Sequence, residues 1–343
     1  VRAVAKMIGE NISSDKVVVM KSTVPVGTSA NVKEIIEDIV SAKKLNYKVE
    51  IICNPEFLKE GKAIRDFESP DRIVLGYESV ESLNRLIDLY RPFNLHHDKI
   101  IKMDIKSAEL TKYAANAFLA TKISYINEIS NICEKVGADI NNIRKGICSD
   151  SRIGYDFLYP GIGFGGSCFP KDLRALKNFS KQSGYDTKII DSVIDVNSRQ
   201  REIFCDKVIN FFKKNQNTSN VIAVWGLSFK PETDDIREAP SIDIIRKLLS
   251  NNFIIKAYDP IAINNFKRAI QHQNLSYGEN IYSVLEGSDA VLLLTEWNEF
   301  RSPNFDKMKE KMTSSVIFDG RNIYDKKVIE SEGFKYLQIG ASS

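Results

Sequence analysis

The residues best suited to chemistry stand together at Gly161-Ile162-Gly163-Phe164-Gly165-Gly166-Ser167-Cys168-Phe169-Pro170-Lys171-Asp172. Glycines let a backbone approach a ligand closely and offer N–H groups to an anion. Pro170 suits the first turn of a helix, which puts Cys168 at a helix N-terminus. The helix dipole there favours the thiolate, the nucleophilic form. Asp172 follows four residues on, facing the same side. A thiolate beside a carboxylate suits covalent catalysis. The plainer alternative is a buried cysteine next to a flexible loop.

Five further places carry candidate groups. In Asn54-Pro55-Glu56-Phe57-Leu58-Lys59-Glu60-Gly61, a helix would make Glu56 and Glu60 neighbours able to do acid–base work or hold hydroxyls. A solvated acidic face fits them equally. Lys112 and Asn116 share the same spacing and could hold one ligand oxygen between an ammonium and an amide. Alone, such a pair is usually just solvated. Lys230 and Arg237, in Lys230-Pro231-Glu232-Thr233-Asp234-Asp235-Ile236-Arg237-Glu238, could meet phosphates at the carboxyl end of a strand, or form a charged surface loop. Asp259 is placed like the ribose-binding acid of a dinucleotide fold, although Gly226 begins no GxGxxG. Asp319-Gly320-Arg321 offers another basic contact.

Several elements must position these groups. Val17 to Met20, Val49 to Cys53 and Ile73 to Gly76 read as buried strands, with helical periodicity at Val32 to Val40 and a helix at Glu81 to Leu89. This alternation predicts a parallel α/β layer. Ser107 to Val136 has neither Pro nor Gly and keeps helical apolar spacing, with Ser107 as N-cap, Glu109 in the first turn and Gly137 as the stop. Such a helix usually crosses between domains or forms a subunit interface. Helices continue to about Arg201, around the glycine loop. Lys213 to Asn220 reads as a linker. A second alternation follows: strands at Val221 to Leu227, Phe253 to Tyr258, Asp289 to Thr295 and, last, Val316 to Asp319, with a helix at Ser241 to Ser250. The fold class is α/β: two Rossmann-like, doubly wound parallel-sheet domains joined by a long central helix. The expected domains are 1–106, 107–212 and 213–343.

The composition fits that reading. The chain has 343 residues, 43% hydrophobic and 27% charged, as in ordinary soluble globular proteins. The net charge of +3 is spread through the sequence, with no basic block for nucleic acid. No apolar run approaches a membrane span, and Lys6, Glu10, Asp15, Lys16 and Lys21 interrupt any signal-peptide core. The cysteines, Cys53, Cys133, Cys148, Cys168 and Cys205, are scattered, as expected of reduced thiols in a cytoplasmic protein. His96, His97 and His272 lack closely spaced partners, so no metal site is expected.

Seven segments, in register along nearly the whole chain, resemble the nucleotide-sugar 6-dehydrogenase family. They are Ser22-Thr23-Val24-Pro25, Asn54 to Gly61, Ser69-Pro70-Asp71-Arg72, Lys112 to Phe118, Gly163 to Asp172, Phe229 to Arg237, and Asp319 to Arg321. Asn54 to Phe57 and Ser69 to Arg72 look like the UDP-glucose branch. The N-acetylhexosamine branch departs there, and the GDP-mannose branch shares more. The resemblance implies an NAD-dependent four-electron oxidation of UDP-glucose to UDP-glucuronate through a cysteine thiohemiacetal and thioester. It makes Cys168 the nucleophile and Lys112 the proton-transfer group and oxyanion stabiliser, with Asn116 holding the same region. Asp172 and Thr23 would position water, and Glu56 would serve hydrolysis. Glu60 would lie near sugar and cofactor. Substrate contacts would be Phe57, Leu58, Tyr159, Gly163, Phe164, Gly165, Phe229, Lys230 and Arg321. Arg152 resembles a family arginine that reaches the neighbouring subunit's site, in at least a homodimer. Ser22, Lys171 and Arg237 fall where the family touches NAD. The physics agrees: an ammonium steadies developing charge on oxygen, and Lys230 and Arg321 offer charge to a diphosphate.

The family opens with a strand and a GxGxxG loop, and neither occurs in this sequence. The chain starts at Val1, inside what reads as the last turns of a helix. The expectation is therefore a truncated first domain, short of roughly 90–110 residues. Such a chain would bind NAD poorly, and its first sheet would expose an unpaired edge and apolar faces. Three other readings follow: a UDP-sugar-binding chain without turnover, a structural remnant with neither activity, or a dehydrogenase for GDP-mannose or a UDP-N-acetylhexosamine.

Overall fold

The computed structural model describes residues 1–61, 63–93, 98–215 and 219–341. His96 and His97 lie outside the described residues, as does the middle of the expected linker. The chain separates into two compact units, Val1–Asn116 with Ala175–Asp186, and Ala117–Arg174 with Thr187–Ser343.

The first unit carries α1 (Arg2–Asn11), β1 (Lys16–Met20), α2 (Thr28–Ala42), β2 (Val49–Cys53), α3 (Ala63–Glu68), β3 (Ile73–Gly76), α4 (Val80–Tyr90) and β4 (Ile100–Met103). It also takes the first turns of α5 (Ile105–Val136), which continues into the second unit. Its sheet has the order β1-β2-β3-β4. β1 and β2 are parallel, as are β3 and β4, but β2 meets β3 antiparallel through Cys53 and Gly76. The expected purely parallel layer is thus a mixed one. β4 was not visible in the periodicity, since Ile100-Ile101-Lys102-Met103 is only half-buried. β1 is an edge strand, as expected, yet apolar faces are not left bare. Ala5, Val32 and Ile36 cover one face with Val49 and Ile51. Leu83 and Leu86 cover the other with Ile52, Ile73 and Leu75.

At 32 residues, α5 is about 48 Å long. Its cap is not Ser107. Asp104 precedes the helix, and its Oδ1 accepts the Ser107 N–H at 2.9 Å. Those hydrogen bonds, from the Ser107 side chain and N–H, hold the Asp104 carboxyl below its ordinary value. Both residues are good caps; the chain enters the helix one turn earlier than the serine suggests.

The second unit begins with the rest of α5, then α6 (Ile140–Cys148), α7 (Phe169–Gln182), which ends in the first unit, and α8 (Lys188–Lys214). Lys213 and Lys214 close α8 and do not belong to a linker. The sheet domain follows with β5 (Val221–Trp225), α9 (Pro240–Ser250), β6 (Ile254–Tyr258), α10 (Ile263–Ala269), β7 (Leu275–Tyr277), β8 (Ala290–Leu293), α11 (Phe305–Lys311), β9 (Val316–Asp319), α12 (Lys326–Ser331) and β10 (Lys335–Gln338). β9 is not the last strand: β10 adds Lys335-Tyr336-Leu337-Gln338 beside it in parallel. The order is β10-β9-β8-β5-β6-β7, with every pair parallel. Strand order reverses between β5 and β8, the switch point where open α/β sheets take ligands. Ile222, Val224, Leu292 and Phe318 face one core, with Phe204 and Val208 of α8. Ala223, Trp225, Val291 and Leu293 face the other.

Candidate active site

In the first unit, the candidate groups gather where β1, β2 and α5 end or begin. The Glu56–Glu60 segment is not helical: residues 54–59 are irregular, so the two carboxylates are not one turn apart. Pro55 disfavours helix for Asn54 before it. Asn54 is buried instead, donating to the Val74 carbonyl at 2.9 Å and accepting from Lys21 at 3.0 Å and Tyr90 at 2.5 Å. Glu56 turns back to accept the Leu58 N–H at 2.7 Å. Leu58 and Glu60 are exposed.

Lys112 and Asn116 are not solvated. They are 5% and 7% exposed. Lys112 Nζ lies 3.7 Å from Glu56 Oε1 and 5.1 Å from the Phe57 ring. The Arg72 guanidinium lies 4.0 Å from that ring. Phe57 thus takes two cations on its π-system, which ties the Ser69–Arg72 segment to the Glu56 loop. Ser22 and Thr23 follow β1, the first exposed and the second half-buried.

Glu109 escaped sequence reasoning. It does not serve its own helix: it is 2% exposed and accepts N–H bonds from Gly27 at 2.7 Å and Ser29 at 2.8 Å, at the start of α2. Gly27, the N-cap, has no side chain to do this. That absence was the signal available.

In the second unit, Cys168 stands immediately before α7, and its carbonyl accepts the Asp172 N–H at 2.9 Å. Among the five cysteines it alone is exposed. Burial pushes the Cys53 and Cys205 thiols up to about 12. Asp172 is buried, with Lys171 Nζ 3.4 Å from its Oδ1.

The glycine loop before Cys168 spends most of its N–H groups on protein, not on an anion. Gly161 N–H goes to Asn127, Ile162 to the Gly320 carbonyl, Phe164 to Asn197 and Gly166 to the Arg237 carbonyl. Its glycines serve close packing. A Cβ on Gly165 would stand 2.3 Å from the Glu238 carbonyl oxygen, and one on Gly163 2.7 Å from Asn197 Oδ1. α8 holds the loop with a polar ridge: Asn197 also donates to the Phe164 carbonyl at 3.0 Å, Gln200 to Gly161 at 2.8 Å and Arg201 to Phe164 at 2.7 Å.

Arg321, after β9, joins three predicted segments. Its guanidinium donates to Leu294 at 2.7 Å, Phe229 at 3.2 Å and Gly163 at 3.5 Å, all carbonyls, and lies 3.3 Å from Glu296. Lys230 Nζ is 5.5 Å from the Phe229 ring. Arg237 pairs with Asp235 through bonds of 2.7 to 3.0 Å. Asp259 is not a ribose acid. It is buried, and its oxygens accept the Leu227, Ser228, Ile261 and Ala262 N–H groups and the Trp297 indole N–H. It shapes the turn that carries Phe229. Tyr159 stays exposed beside Arg144, whose guanidinium sits 3.8 Å from its ring. Arg152 pairs with Asp150, and its side chain is 87% exposed. Among the described residues, no group of His, Cys, Asp and Glu is arranged for a metal, and no helix is long and apolar enough to cross a membrane.

Three profiles of the UDP-glucose/GDP-mannose dehydrogenase family match: the NAD binding domain at residues 1–94, the central domain at 106–199 and the UDP binding domain at 223–326. A UDP-glucose 6-dehydrogenase of Pseudomonas aeruginosa is 42% identical over 99% of this chain and 76% of its own length. The UDP-glucose 6-dehydrogenase TuaD of Bacillus subtilis is 45% identical over 99% of this chain and 72% of its own. The structure of a UDP-glucose dehydrogenase from Pyrobaculum islandicum aligns with a TM-score of 0.84 at 31% identity, covering 100% of this chain and 75% of that one. By all three comparisons, the chain belongs to the UDP-glucose/GDP-mannose dehydrogenase family of NAD-dependent dehydrogenases.

Proposed function

We propose that the protein oxidises the C6 alcohol of UDP-glucose to the carboxylate of UDP-glucuronate, using two NAD and one water. The observation that carries this reading is Cys168, the one exposed thiol, set at the start of α7 behind a rigidly held glycine loop. The relatives named above support the choice of sugar.

The donor set at the carboxyl end of β1 fits NAD. Ser22, exposed, and Thr23, half-buried, carry hydroxyls where open α/β sheets take nucleotides. Lys171, Arg237 and Glu60 are the other proposed contacts. NAD, when bound, supplies the hydride acceptor for both oxidations.

The protein's own groups do the rest. The Cys168 thiolate adds to the aldehyde carbon, making a C–S bond and leaving a negative oxygen. The Lys112 ammonium stabilises that oxygen, and Asn116 holds the same atom. At the thioester stage, water held by Asp172 and Thr23 attacks the carbonyl carbon. The C–S bond breaks, the thiolate is regenerated, and Glu56 takes the water's proton. Phe57, Leu58, Tyr159, Gly163, Phe164, Gly165, Phe229, Lys230 and Arg321 line the proposed substrate path.

The protein also pairs with a second copy through α5. Phe118, Tyr125 and Ile132 recur at seven-residue spacing, each more than half exposed. Such a stripe suits a self-complementary helix contact. Arg152 is the residue proposed to reach the neighbouring site.

The test is a substrate panel. The natural protein should form two NADH per UDP-glucose and little with GDP-mannose or UDP-N-acetylglucosamine. Saturable UDP-glucose binding without NADH would replace this reading with that of a binding protein.

A further inference from the structure

We propose that Glu109 is a positioning residue for the cofactor side of the reaction: its carboxylate holds the Ser22–Thr28 turn on the helix that carries Lys112. This rests on the dehydrogenase reading above.

Two independent features meet at this carboxylate. α2 starts without a cap of its own, because Gly27 at its N-cap has φ 91° and no side chain to accept the helix N–H groups. Glu109 comes from about eighty residues further along the chain. Its two oxygens take the N–H groups of Gly27 and Ser29, one each. The remaining turn is closed locally. Both the N–H and hydroxyl of Thr28 donate to the Pro25 carbonyl, at 3.1 and 2.6 Å. The turn from Ser22 to Ser29 therefore has a remote anchor in Glu109, a buried carboxylate at the positive end of a helix.

The surroundings make the anchor stiff. Glu109 follows Ala108, which is fully buried against Cys53 and Val74. Gly76 packs on the same place: a Cβ there would come 2.5 Å from the Ala108 side chain. Lys112 lies three residues after Glu109, one turn along α5. The hydroxyls of Ser22 and Thr23 are thereby registered against the Lys112 ammonium through one carboxylate. A glutamine keeps the shape but offers one carbonyl oxygen where two N–H groups wait, and turns its own N–H group toward the other donor.

The test compares Glu109→Gln and Glu109→Asp in the natural protein. Charge-assisted bonds of this kind justify an expected rise of about tenfold in KM for NAD with Glu109→Gln. The KM for UDP-glucose and the rate of Cys168 alkylation by iodoacetamide should stay within about twofold of the unaltered protein. Amide hydrogen exchange across residues 22–29 should accelerate. Glu109→Asp, which keeps the charge, should recover part of both effects. A merely structural role predicts loss of thermal stability with equal falls in kcat and no change in KM for NAD; that result overturns the proposal. If the unaltered protein forms no NADH, the reaction assigned above is wrong. Calorimetric NAD titration and amide exchange of the two variants then decide the role of Glu109 by themselves: weaker NAD binding with faster exchange supports it, and unchanged values overturn it.

Discussion

The Lys112 ammonium lies 3.7 Å from the Glu56 carboxylate and 5.1 Å from the Phe57 ring. That separation is longer than a normal hydrogen bond, so the ammonium keeps donor capacity for another oxygen. Its side chain is 6% exposed against 32% for Glu56. The cation is thus the desolvated member, and its field is the less screened.

Lys112→Ala should therefore lower kcat for UDP-glucose by about a hundredfold or more, the usual loss when a donor to an oxyanion is removed. The KM for UDP-glucose should change far less. Steady-state NADH formation measures both. A large KM effect with kcat intact would make Lys112 a binding residue.

The close packing of the glycine loop predicts a sharp contrast. Gly165→Ala must push against the Glu238 backbone, 2.3 Å away, and should cost about 1–3 kcal/mol. Gly146→Ala, within α6 with open space around it, should stabilise by about 0.5–1 kcal/mol. Urea unfolding of the two variants checks this. Equal effects would contradict the packing described for the loop.

Asp319 gives a pH dependence. It is fully buried at the end of β9, and desolvation raises its carboxyl above the ordinary value. The Tyr336 hydroxyl and the N–H groups of Arg321, Ile323 and Tyr324 pull the other way. The folded state then holds this proton more tightly than the unfolded chain. Its contribution is fully present below the unfolded value of about 3.9 and is lost as pH rises through the folded value. Asp319→Asn should remove that loss, so the stability of the variant relative to the natural protein should climb from pH 4 upward. Denaturation curves at several pH values would show it. Parallel profiles would contradict it.

The exposed stripe on α5 predicts a change of assembly. Tyr125→Glu with Ile132→Glu should convert a dimer into a monomer in light scattering, because two charges would face their symmetry mates. A natural protein already monomeric at micromolar concentration would contradict pairing through this helix.

Much of this was legible in the sequence because it rests on local rules. The alternating runs around Val17, Val49 and Val221, the uninterrupted stretch after Ser107, and the Pro and glycines around Cys168 each specify an element with their neighbours alone. What was hidden depends on remote partners. Glu109 looked like a first-turn acid because its acceptor role lies on α2. Asp259 looked like a ligand contact because its donors come from separated turns. Glu56 and Glu60 shared a helical spacing, but Pro55 and the buried Asn54 hold that segment irregular. The glycine loop drew attention for its N–H groups, four of which are taken by Asn127, Asn197 and two backbone carbonyls.

The central claim is that Cys168 carries the substrate covalently, and its replacement by serine tests this most directly. With UDP-glucose and NAD, Cys168→Ser should yield essentially no UDP-glucuronate by product chromatography, while the unaltered protein forms one uronate per two NADH. Uronate output from Cys168→Ser equal to that of the natural protein would contradict the thioester route and leave the exposed thiol without a catalytic role.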